Sequence, residues 1–97
     1  MLTIIEAREI LRLDNEDNDF IIQGLLNAMP DYLYHTTGYI ENIGPDDPYI
    51  NGLARTVCVF LLRLWYNPDG ADSEKLQRTI DTMLTPLQAA CRSADNG

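Results

Sequence analysis

The chain has 97 residues, 45% of them hydrophobic and 23% charged, which is enough to bury one core and too apolar for a disordered segment. Its formal net charge is −8, and Lys75 is the only lysine among seven basic residues, so the clustered cations that grip nucleic-acid phosphates or anionic membranes are missing. Cys58 and Cys91 lack CxxC spacing, and a reducing cytosol fits them better than a disulfide scaffold.

The opening residues do not have the character of a signal peptide. Thr3-Ile-Ile-Glu6 has capping-box spacing, which starts a first helix at Ile4 and carries it to Arg12 or Leu13. Ile4, Ala7, Ile10 and Leu11 share a face of it. The link that follows, residues 14–19, reads DNEDND. An EF-hand loop needs Gly at its sixth position and Glu at its twelfth. Counted from Asp14 these are Asp19 and Leu25, so no metal site is expected. The acids read instead as a helix start, with Asp17, Asn18 or Asp19 capping free N–H groups at the positive end of the dipole.

The second helix is expected over residues 19–36, with Ile22, Leu25, Leu26, Met29 and Leu33 on its apolar face and Gln23, Asn27 and Asp31 in water. Pro30 should kink or break it, and Gly38 should stop it. Residues 39–48 have loop composition. Asp47-Pro48 is an N-cap followed by proline at the first helical position, so a third helix runs over residues 48–66.

That third helix contains the stretch around which the chain is organised, residues 53–66, LARTVCVFLLRLWY. Eleven of its fourteen residues are apolar, and Arg55, Thr56 and Arg63 fall along one narrow strip. Such a helix must be covered by protein or lipid. The unbroken apolar run, residues 57–62, is far short of the roughly 20 residues that span a bilayer, so protein covers it. Asn67-Pro68-Asp69-Gly70 is a turn. A fourth helix begins at Asp72 or Ser73, with Leu76, Ile80, Met83, Leu84 and Leu87 inward and a Glu74–Arg78 pair outward. Thr85-Pro-Leu-Gln88 is a second start signal, so Pro86 either kinks this helix or opens a short fifth one. Residues 92–97 read as a frayed tail. The expected fold class is all-α: one domain, residues 1–97, a small bundle of four main helices with a central buried helix.

Catalytic signatures are missing. The one histidine, His35, falls at the end of the second helix, where its charge meets the dipole. There is no HExxH, GxSxG, Gly-rich phosphate loop or paired-cysteine set. The expectation is a protein that is not an enzyme and carries no cofactor or metal. Trp65 reads as core, while Tyr66 stays open between a core cap and a subunit contact.

The order of these segments resembles the head–tail connector (adaptor) family of long-tailed bacteriophages. The matching features are Leu2-Thr3 with Glu6-Ala7 and Ile10-Leu11-Arg12-Leu13, then the acidic link into Phe20-Ile21-Ile22 and Leu25-Leu26. Tyr32-Leu33, Thr37-Gly38, Leu64-Trp65-Tyr66, Leu84 and Pro86-Leu87 follow, covering almost the whole chain. The resemblance implies a structural protein of the virion neck, made in the bacterial host cytoplasm. Members form rings, usually twelve-fold, beneath the portal protein after DNA packaging. The ring extends the channel, receives a downstream neck or tail-completion protein, and lets duplex DNA pass without tight binding.

A cyclic ring needs two different, complementary patches on each subunit. Charge suggests the first helix and acidic link, with Asp14, Glu16 and Asp17, as one patch, and Arg55, Arg63 or Arg78 of a neighbour as the answer. Tyr66 joins the candidate interface set. Two other classes fit a small acidic helical chain. One is an acyl-carrier-like protein, for which Asp72-Ser73 is the local hint, although Glu74 stands where that family has leucine. The other is a generic helical module for a protein partner.

Overall fold

The computed structural model describes residues 2–40 and 47–96, with side chains through residue 93. Among the described residues there are four helices and no strand: α1 (Ile4–Leu11), α2 (Asp19–Thr37), α3 (Pro48–Tyr66) and α4 (Ser73–Asn96). The all-α expectation holds, and most of the helix ends follow from local chemistry. The Thr3 hydroxyl accepts from the Glu6 N–H while the Glu6 carboxylate accepts from the Thr3 N–H, a complete capping box. The Asp47 carboxylate accepts from the N–H groups of Tyr49 and Ile50, with Pro48 at the first helical position. Gly38 ends α2 in the left-handed conformation, φ +82°.

The structure narrows the reading at both prolines and corrects it at the tail. α2 runs through Pro30 without a break. Proline in a helix interior costs about 3 kcal/mol. Against that, Ile22, Leu26, Met29 and Leu33, on both sides of Pro30, are buried at about 1.5–3 kcal/mol each. Burial on both flanks wins. The same balance holds at Pro86, where Ile80, Leu87 and Cys91 are buried on either side, so α4 is one helix and there is no separate fifth. The backbone of the expected frayed tail continues as helix to Asn96. Most of the expected loop over residues 39–48 lies outside the described residues. Its first two residues are loop as expected, and Tyr39 is a buried anchor within it: its hydroxyl donates to the Asn51 side-chain oxygen on α3 at 3.0 Å.

α3 is the central rod. Ile50, Ala54, Val57, Cys58, Leu61, Leu62 and Leu64 are buried along it, while Arg55, Thr56 and Arg63 stand in solvent as the strip of polar residues requires. It packs most extensively on α4, and α2 lies against both. α1 rests on α2 and α3 without reaching α4. Trp65 packs at the edge of the core, edge-on to Tyr32 with ring centroids 5.3 Å apart. Cys58 and Cys91 are buried and form no disulfide. The radius of gyration, 13.8 Å, exceeds the roughly 12.5 Å of a compact chain this long. The molecule measures 44 × 27 × 19 Å, an elongated body whose 24-residue α4 alone is about 36 Å long. Among the described residues no helix is long and apolar enough to cross a membrane.

Candidate functional site

The junction between α1 and α2 is where charge and exposed apolar surface meet. α1 ends without glycine: Arg12 takes the left-handed conformation at φ 58°. Its N–H bonds the Glu9 carbonyl at 3.1 Å, and the Leu13 N–H bonds the Arg8 carbonyl at 2.9 Å, a Schellman closure. In the link, the Asn15 side chain accepts from the Asp17 N–H at 3.1 Å and turns the chain.

One ion pair clamps the two helices across this turn. The Arg8 guanidinium donates from Nε and Nη2 to the two oxygens of Asp19, both at 2.9 Å, with Glu16 a further 4.0 Å contact. Fork-to-fork pairing of this kind fixes geometry as well as energy. The bond to Asp19 holds the Arg8 pKa above its ordinary value. Asn18 sits at the N-cap of α2 but makes no side-chain cap. Its amide donates instead to the Tyr66 hydroxyl at 2.8 Å, tying the link to the end of α3. Tyr66 is therefore a half-buried brace between elements.

Asp14, Glu16 and Asp17 are all exposed on this clamped turn, so the structure brings the three acidic candidates together. It does not bring the three arginine candidates together. Arg55 pairs with Glu6 of its own chain. That partner and, more strongly, the Thr3 N–H hold the Glu6 pKa below the usual glutamate value. Arg78 faces Glu74 at 3.7 Å on the open side of α4. Arg63 alone has no ion pair among the described residues, and it lines an open groove of about 990 Å3 between the α1–α2 junction, the end of α3 and the start of α4. Tyr66 and Arg12 line the same groove.

Sequence reasoning missed three residues here. Arg8 and Asp19 are eleven positions apart, a spacing that no helical rule couples. Phe20 is 92% exposed, followed by Ile21 at 57%. The signal for Phe20 was present: it shares a helix side with Asn27 and Asp31, the side read as wet. Ser73, on which the carrier-like reading rests, is half-buried with its hydroxyl donating to the Gly70 carbonyl at 2.8 Å. His35 is exposed against the edge of Tyr34. Among the described residues no group of three or more His, Cys, Asp or Glu side chains is placed to hold a metal ion. Comparison with protein families, with curated proteins and with solved structures yields no match.

Proposed function

We propose that this chain is a structural subunit of a phage or prophage neck, assembling into a ring beneath the portal and extending the DNA channel after packaging. The observation that carries this reading is the α1–α2 junction. Its backbone is clamped by Arg8–Asp19 and braced by Asn18–Tyr66, yet Phe20 and Ile21 stand in water beside three exposed carboxylates. A bare aromatic on a rigid, charged rim is surface held ready for a protein partner. The order of segments, which resembles that of the connector family over nearly the whole chain, supports the same reading.

The charge fits the role. A ring of −8 subunits with acids toward its channel repels the duplex and lets it slide. The partners in this reading are other copies of the chain, usually twelve in the virion, the portal protein, and a downstream neck or tail-completion protein. Electron micrographs of concentrated protein, alone and mixed with its portal, test it. Closed rings stacked coaxially on the portal are expected. Bare portals and dispersed monomers would overturn the reading, and so would tight low-salt binding of an assembled ring to duplex DNA.

A further inference from the structure

The groove beneath the α1–α2 junction differs electrostatically from the rest of this acidic molecule. Of the seven basic residues, Arg8, Arg55 and Arg78 are committed to carboxylates of their own chain. Two of the remaining four, Arg12 and Arg63, line this one groove, and neither has an ion-pair partner among the described residues. Asp72 is the single acid on its lining. Ile10, Ile21, Val59 and Leu76 supply apolar surface between the charges. The groove is open, with a volume of about 990 Å3.

The missing complement is present on the same chain. Arg12, Asn18 and Ile21 of the junction line the groove, whereas Asp14, Glu16, Asp17 and Phe20 do not. Those four are exposed, Phe20 at 92%. The clamped junction therefore gives the groove Arg12 and Ile21, which line it together with Arg63 of α3, while its carboxylates and bare aromatic lie outside the groove. Two different complementary patches on one subunit are what a head-to-tail contact requires.

We infer that the groove receives the α1–α2 junction of a second copy, with Phe20 on its apolar surface and the link carboxylates against Arg12 and Arg63. The inference rests on the ring reading and names its contact. The occupant is a second copy because charge, apolar character and rigidity are all matched by a segment of this chain. Two guanidiniums in a shared groove also impose sign: on a chain of net charge −8, a neighbour's carboxylates are attracted here.

The test is sedimentation velocity on the full chain over a rising concentration series, comparing wild type, Phe20→Ser and the double variant Arg12→Glu/Arg63→Glu. Wild type is expected to associate. Each variant is expected to lose association more than about tenfold, the scale of a hot-spot side chain. A one-to-one mixture of the two variants is the sharpest arm. The double variant keeps Phe20 and the link carboxylates, and Phe20→Ser keeps the groove cations, so the mixture is expected to form heterodimers and stop there. Thermal melts serve as the fold control, with Arg63→Gln as the milder variant if the double charge reversal melts early. Variants that assemble like wild type would overturn the groove contact and leave the ring reading standing. A wild type that stays monomeric throughout overturns the contact, while the portal micrographs decide the ring separately. Variants that associate normally with themselves but no longer join the portal assign the groove to an acidic segment of the portal, against this inference.

Discussion

The rod α3 and the α1–α2 junction handle their side chains in opposite ways. Along α3 seven side chains are buried and the polar residues form a thin solvent strip. At the junction, residues 14–17 and Phe20 lie open, and order comes from polar bonds at fixed geometry: the Arg8 fork, the Asn18–Tyr66 brace and the Schellman closure at Arg12. The contrast separates two jobs. Burial in α3 supplies stability, and only the far end of the rod, with Arg63 and Tyr66, opens on the groove. The junction holds exposed side chains on a backbone fixed by polar bonds, the surface proposed above for a partner.

Breaking the rod should give the largest effect. Leu62 is fully buried, so Leu62→Ala is expected to cost about 2–5 kcal/mol, a large share of the roughly 5–15 kcal/mol of a domain. Phe20→Ser removes an equally apolar side chain at 92% exposure and should change stability by less than about 0.5 kcal/mol. Urea unfolding of both checks the pair, and equal losses would erase the distinction. Next comes the clamp. Arg8→Ala leaves Asp19 without its fork and is expected to lower stability clearly less than Leu62→Ala, because both side chains are partly in water.

Arg12→Gly should act in the other direction. A left-handed φ of 58° costs an L-residue roughly 1 kcal/mol that glycine does not carry, so the midpoint should rise. Because the same substitution removes a groove cation, it should also weaken association. A variant both more stable and more self-associating would contradict the role given to Arg12. The smallest effect is expected from Glu6. Its folded pKa lies below the unfolded value because of the Thr3 N–H and then Arg55. The stability it contributes is present above the usual value, near 4.5, and is lost as pH falls through the lower folded value. Glu6→Gln should therefore flatten that part of the acid melt while leaving the remainder unchanged.

How far the chain could be read beforehand follows from the range of each interaction. The capping box at Thr3 and Glu6, the Asp47-Pro48 start and the Gly38 stop are decided within four residues, and all three stand as read. Pro30 and Pro86 obey a local rule that allows either a kink or a break, and only the folded chain excludes the break: both helices continue through their proline. The end of α1 was near the right place, but its left-handed residue is an arginine where a glycine would ordinarily announce it. The acidic link was legible as a cluster. Its clamp to Arg8 was not, since neither composition nor periodicity couples positions eleven apart. The groove draws on residues from Ile10 to Leu76, contributed by all four helices or their ends, and only the folded chain assembles it.

Amide hydrogen exchange on the wild-type chain, dilute and then concentrated, tests the division between rod and junction most directly. The account expects α3 to be the slowest-exchanging element in both states, with little change on assembly. Protection should be gained at residues 12–21 and across the ends of α3 and α4 that line the groove. Assembly that instead protects the middle of α3, or leaves residues 12–21 unchanged, would contradict it.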